Sequence, residues 1–255
     1  MKVNSTRKKL KSGATCIGTM VREVRSPQVV TLLAAAGWDY IIVDTEHGFL
    51  DMQTVADFAS VGHGEEMTVI ARVPDNLYHL LARPLDVGVE GVLCPRVDSR
   101  EEAEQIVMAV KYAPLGDRGV SVSGIGTGYR PTTSKAYLEE ANSNTLIAIQ
   151  IESVLSLESL DDILAVEGID VAFVGPEDLS QSMGIPGEIK HPKMIEAYQH
   201  VIDAANRKGV APGMHFRDLD MLKEWMRRGM RFVAYKTDFR LLLEASQNAL
   251  KALRG

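Results

Sequence analysis

"IIVDTEHGF", residues 41–49, begins with the composition of a strand buried on both faces and ends in ionisable groups. Ile41, Ile42 and Val43 are β-branched and apolar, as a parallel strand covered by helices requires, and Asp44, Glu46 and His47 follow at once. Charge is tolerated at such a place where the strand leaves the core. The stretch therefore reads as the wall of a parallel α/β structure that ends at the floor of an active site.

Working outward, residues 39–44 are one of eight such runs, the others being 14–21, 67–73, 90–95, 145–152, 170–175, 210–215 and 231–236. Amphipathic stretches separate them. Ser26 and Pro27 predict an N-cap and first helical residue, with the helix closing on Gly37. Residues 98–114 offer Asp98 or Ser99 as cap, acids in the first turn, Lys111 near the end and Pro114 beyond. Residues 191–209 and 218–229 show apolar spacings near 3.6 and end at glycine. Eight strands each trailed by a helix predict an α/β protein with one closed (β/α)8 TIM barrel spanning residues 1–255, a fold that usually takes ~250 residues. A doubly wound sheet usually has fewer strands, and no Pro-, Gly- or Ser-rich linker divides the chain. The long irregular stretch 115–134, with five glycines, reads either as a lid or binding loop or as a flexible excursion.

Lys and Arg number 28 against 34 Asp and Glu, so no basic field covers the molecule to attract nucleic acid or anionic lipid. Small molecules are the expected partners. The basic start "MKVNSTRKKLKSG" is not followed by the apolar stretch of roughly 7 to 15 residues that a secretory signal needs. The apolar runs also fall short of the ~18 to 20 residues that span a bilayer, and a cytoplasmic protein is expected. Cys16 and Cys94 lie in different apolar strands without CxxC spacing and read as small core residues in a reducing compartment.

In a (β/α)8 barrel the chemistry sits at the carboxyl ends of the strands. Here those ends carry Glu46 and His47, Arg72, Gln150 and Glu152, Glu177 and Asp178, His215 and Lys236, and the amino ends show no comparable cluster. Each has a bland explanation. Asp44 could bond nearby backbone, His47 could be structural, Arg72 could form a surface ion pair, Glu152 could cap the next helix and Asp178 a turn. The functional alternative starts from Gln150 and Glu152, which are two apart on one strand and so share a face. With Asp178 approaching from the next strand, two carboxylates and water would make a hard-cation site of the Mg²⁺ or Mn²⁺ type. Arg72 would then recognise a carboxylate bidentately. Spacing leaves both sets of readings open.

Several stretches together resemble the HpcH/HpaI aldolases, class II pyruvate aldolases acting on 4-hydroxy-2-oxo acids. They are "GWDYIIVDTEHG" (37–48), "ARVPDN" (71–76), "LDVGVEGVLCPRVDSREEAEQIVMAVKYAPLGDRGV" (85–120), "IQIES" (149–153) and "EGIDVAFVGPEDLSQSMG" (167–184). The similarity runs from about residue 10 to 245. It implies a barrel of the phosphoenolpyruvate/pyruvate superfamily assembled as a homo-oligomer, a hexamer or trimer, with the C-terminal helix (about 238–252) packed on a neighbouring subunit. It implies Glu152 and Asp178 as ligands of a divalent metal, Mg²⁺ or Mn²⁺ with Co²⁺ as a further choice. His47 would be the catalytic base, Asp86 the acid that raises its basicity, and Arg72 the group that stabilises the developing enolate. Gln150 and the turn of Gly175, Pro176, Glu177 and Asp178 would contact the pyruvate half, and Glu46 would support them. A 4-hydroxy-2-oxo acid would then split into pyruvate and an aldehyde as His47, through water, removes the C4 hydroxyl proton.

Thr45, Glu177, His215 and Lys236 depart from the family's usual residues, so the aldehyde pocket is expected to differ in charge. Three other functions compete with the aldolase. A 2-oxo diacid of the oxaloacetate type could lose CO₂ at the same site, Lys236 could form a Schiff base, or the barrel could bind a keto acid without turnover.

Overall fold

The computed structural model describes residues 2–122, 124–127, 129 and 133–255. All eight expected strands form: β1 (Cys16–Val21), β2 (Tyr40–Asp44), β3 (Thr68–Arg72), β4 (Gly91–Cys94), β5 (Leu146–Ile151), β6 (Val171–Val174), β7 (Ala211–Phe216) and β8 (Phe232–Thr237). They pair in parallel, each with the next in chain order, and β8 returns to β1 to close the barrel. The helices between them are α2 (Gln28–Ala35), α3 (Met52–Gly64), α4 (Tyr78–Asp86), α5 (Arg100–Val110), α6 (Ser134–Asn144), the short α7 (Val154–Glu158) and α8 (Leu160–Ile163), α9 (Pro176–Ser182), α10 (Pro192–Lys208) and α11 (Leu219–Arg227). Before β1 lies α1 (Ser5–Lys11), and after β8 comes α12 (Asp238–Arg254).

Period two decides what each strand offers to the interior. Tyr40 and Ile42, Ile70, Leu146 and Ala148, Val171 and Phe173, Ala211, and Phe232 and Ala234 form one apolar cluster inside the barrel. Their neighbours Ile41, Val43, Val69, Ile147, Ile149, Ala172, Met214 and Val233 belong to the larger cluster that packs against the helices. Tyr40 stacks on Phe232 with ring centroids 4.1 Å apart, and this fills the floor of the barrel. Gly18 makes room for that ring, since a Cβ there would lie 2.4 Å from it.

Two expected helix boundaries are corrected. Ser26 does not cap α2: Pro27 holds the cap position without a side-chain bond, and the Ser26 hydroxyl donates instead to Gln28 Oε1 at 2.7 Å. The helix stops at Ala35, short of Gly37, whose φ of +91° ends the turn. At α5 the cap is Ser99, in a reciprocal capping box with Glu102. The expected loop 115–134 contains a 3₁₀ turn at Ile125–Thr127 and the start of α6, while residues 123, 128 and 130–132 lie outside the described residues. Among the described residues no helix is long and apolar enough to cross a membrane.

Candidate active site

Asp44, Arg72, Gln150 and His215 continue the inward phase of β2, β3, β5 and β7, one step beyond the apolar cluster. They come together at the carboxyl end around a cavity of about 250 Å³, which Arg72, Gln150, His47, His215 and the Gly175–Asp178 turn help to line.

Asp44 is fully buried and organises the rim. Its Oδ1 accepts from Arg72 Nε at 2.9 Å and its Oδ2 from Arg72 Nη2 at 2.5 Å. The amides of Glu46 and His47 also donate to Oδ1, at 3.1 and 3.2 Å. Burial works against this charge, but the Arg72 hydrogen bonds and charge and the two amides hold the carboxyl below its ordinary range. Asp44 thus fixes the loop, as its bland reading had it, and also clamps the Arg72 fork. Arg72 is no surface ion pair: its side chain is 11 % exposed, and its Nη1 lies 3.4 Å from Glu46 Oε2. Burial raises the Glu46 carboxyl despite the charges of Arg72, His47 and Arg96. His47, on the loop that Asp44 holds, leaves its ring 52 % exposed at the cavity edge.

Glu152 lies beside Gln150 and against Gly175. Its Oε1 accepts from the Arg96 amide at 2.7 Å, and its Oε2 accepts from Gln150 Nε2. It does not cap the following helix, a role taken by Ser153. Burial pushes the Glu152 carboxyl up to about 7; the Arg96 amide opposes this, and the charges of Asp178 and Glu46 add to it. Asp178 sits exposed in the first turn of α9 and caps nothing. Among the described residues no three His, Cys, Asp or Glu side chains cluster as metal ligands. A Cβ at Gly175 would stand 2.5 Å from Glu152 Oε2. Gly175→Ala is therefore expected to displace that carboxylate, cutting kcat at least about tenfold and stability by ~1–3 kcal/mol, as kinetics and thermal unfolding would show.

Three expected placements are corrected. Asp86 is not brought to His47 by its own chain. It is the last residue of α4, which has returned to the amino end of the barrel, and there it pairs with Arg118 Nη2 at 2.5 Å. Lys236 does not reach the cavity: its left-handed φ of +54° takes it out of the strand pleat, and its ammonium pairs with Glu244 of α12. Thr45 also turns away, donating its hydroxyl to the Arg72 carbonyl at 2.6 Å. His215 and Glu177 do line the cavity. His215 Nε2 lies 3.0 Å from the Lys236 carbonyl, which can only accept, so this nitrogen carries the proton. Burial takes the imidazole down to about 4 against that hydrogen bond, leaving the ring neutral near pH 7.

Sequence reading missed Arg96 and Arg22. Arg96 follows β4 with a φ of +50°, and beyond its amide bond to Glu152 its guanidinium donates to Glu46 Oε1 at 3.2 Å and the Pro74 carbonyl at 2.7 Å. Its place directly after the "LCP" strand end was the available signal. Arg22, just past β1, has Nε 3.2 Å from Asp44 Oδ2. Asp238 steadies that loop by accepting from the amides of Arg22, Glu23 and Val24 at 3.1, 3.0 and 2.8 Å.

Buried acids and a part-buried imidazole moved off their ordinary values, gathered in a cleft at the carboxyl face of a closed barrel, mark a catalytic site, and the class is that of a (β/α)8-barrel enzyme. The chain belongs to the HpcH/HpaI aldolase/citrate lyase family, which matches residues 22–245, and it is a lyase of the aldolase type. It is 33% identical over 254 residues to 2-keto-3-deoxy-L-rhamnonate aldolase of Salmonella paratyphi A, covering 97% of this chain and 92% of that one. The crystal structure of an HpcH/HpaI aldolase from Desulfitobacterium hafniense DCB-2 superposes with a TM-score of 0.93 at 36% identity, covering 97% and 96% of the two chains. Macrophomate synthase superposes with a TM-score of 0.84 at 27% identity, covering 98% of this chain and 88% of that one.

Proposed function

We propose that the protein cleaves and forms 4-hydroxy-2-oxo acids, exchanging them with pyruvate and an aldehyde through a pyruvate enolate, as a cytoplasmic homo-oligomer. The observation that carries this reading is the Arg72 fork, locked by Asp44 beside Gln150 and His47 on the cavity wall. A pre-aimed guanidinium stabilises negative charge as it appears, with little reorganisation. The name of the Salmonella relative, a 2-keto-3-deoxy acid aldolase, points to the same reaction.

Glu152 and Asp178 would hold a divalent cation, Mg²⁺ or Mn²⁺, with Co²⁺ acceptable to the same oxygen set. Two observations support the fit: the buried Glu152 carboxyl, raised further by Asp178, is short of positive charge, and Gly175 leaves space at its Oε2. When bound, the cation supplies Lewis-acid charge to the oxygens of the keto acid. Gln150 and the Gly175–Asp178 turn orient the pyruvate half. His47 takes the C4 hydroxyl proton in cleavage and returns it in condensation. Asp86 assists His47 only if a second chain supplies it. Leu242, Leu243 and Leu253 on α12 are 66%, 53% and 83% exposed, which suits the packing of that helix on a neighbouring subunit in a trimer or hexamer.

A second reading, loss of CO₂ from an oxaloacetate-type diacid, draws on the similarity to macrophomate synthase and uses the same enolate. Following pyruvate methyl-proton exchange in deuterated water isolates the shared step. Exchange is expected with added Mg²⁺ or Mn²⁺ and is expected to stop in EDTA; exchange that persists in EDTA would overturn the cation assignment. Aldehyde release from hydroxy-oxo acids, measured beside CO₂ release from oxaloacetate, then separates the two reactions. Borohydride with pyruvate is expected to leave the protein mass unchanged, because Lys236 is held by Glu244.

A further inference from the structure

The charges around the cavity are not evenly paired. Arg72 is engaged by Asp44 and Glu46, and Arg22 by Asp44. Arg217, in the loop after β7, meets Glu177 only at 3.8 Å, with both side chains more than half exposed, a weak pairing in water. Arg240, in the first turn of α12, lines the same cavity, and among the described residues no carboxylate stands within ion-pair distance of it. Its guanidinium lies 5.5 Å from the Phe239 ring centroid, and Phe239 is itself on the cavity wall. The pyruvate contacts proposed above come from β3, β5 and the turn after β6, whereas Arg217 comes from the loop after β7 and Arg240 from the helix after β8. Two under-paired guanidinium groups therefore stand on the side of the cavity left for the aldehyde.

We infer that the aldehyde partner carries an anionic group, a carboxylate or a phosphate, bound by Arg240 and Arg217. This rests on the aldolase reading and names its acceptor class. A guanidinium fork matches either anion through paired N–H donors, and such charge-assisted bonds are about twice as strong as neutral ones. An uncharged aldehyde would leave Arg240 without an anionic partner and Arg217 with only the exposed Glu177 contact.

The test uses the full-length protein with Mg²⁺ or Mn²⁺, pyruvate and matched aldehydes: succinic semialdehyde against butanal, and glyceraldehyde 3-phosphate against glyceraldehyde. The expected result is a higher kcat/KM for the anionic member of at least one pair, and the pair that shows it tells carboxylate from phosphate. In Arg240→Gln, and independently in Arg217→Gln, the ratio of anionic to neutral kcat/KM is expected to fall by about tenfold to a hundredfold. Pyruvate methyl-proton exchange by the unsubstituted enzyme keeps the two ideas apart. Exchange without any preference for an anion overturns the acceptor inference alone, as does a preference that survives both substitutions. Absence of exchange removes the enolate reading and the inference together.

Discussion

Glu152→Gln is expected to lower the rate of aldol cleavage by on the order of 10³-fold or more, with the fold intact. The fold survives because the substitution keeps the shape and nearly all of the hydrogen bonding. The new amide oxygen continues to accept from the Arg96 amide, as Glu152 Oε1 does at 2.7 Å. On the other side the Gln150 amide, which now donates to Glu152, can turn over and offer its own oxygen, a buried atom with no partner in the wild-type arrangement. What disappears is one of the two negative charges proposed to hold the cation. Calorimetric titration with Mn²⁺ should show binding lost or weakened at least about tenfold, alongside an unchanged thermal midpoint. Wild-type Mn²⁺ affinity in the variant would remove Glu152 from the cation site.

Arg72→Ala is expected to lower kcat by roughly 10²–10³-fold while Mn²⁺ still binds, since the guanidinium acts on developing charge rather than on the cation. This substitution also carries a structural cost. Asp44 has no exposed surface and takes two hydrogen bonds from Arg72, so removing the arginine leaves a buried carboxylate with only Arg22 and two amides, at a cost of about 3 kcal/mol. The sign of the pH dependence follows. Without the Arg72 hydrogen bonds and charge, the folded-state pKa of Asp44 rises from its lowered wild-type position, so the ionised form is less favoured in the folded variant than in the folded wild type. The loss of stability is then smallest at low pH and grows as pH rises through the ordinary carboxylate range. Arg72→Lys keeps a positive charge and loses the fork, so it should recover much of the stability and little of the rate. Rate recovery in the lysine variant equal to the stability recovery would show that charge alone, and not the aimed fork, serves catalysis.

Much of the site could be read from the strand ends. Asp44, Arg72, Gln150 and Glu152 lie at positions where an alternating pattern meets the end of an apolar run, and both alternation and polarity are local properties of the chain. Arg96 was missed because its role depends on a left-handed φ that turns its amide toward Glu152, and nothing in its neighbours announces that conformation. Lys236 misled for the same reason: residue type and strand position suggested the cavity, but its φ of +54° sends the side chain to Glu244. For Asp86 the sequence left open something else. The "LDVG" start of the 85–120 stretch gives the residue but not the end of the barrel at which it stands in its own chain, and that follows from α4 running antiparallel to its strand.

By itself the sequence determined the eight strands, their order around the barrel and the face on which the chemistry lies, because β-branched runs, their two-residue period and the helical runs between them are written along the chain. Only the tertiary structure decided which charges compensate one another. Asp44 with Arg72, Glu46 with Arg96, and Lys236 with Glu244 are pairings across separate elements. The strength of an ionic contact depends on a distance of a few ångströms and on burial, and neither exists until the barrel has closed.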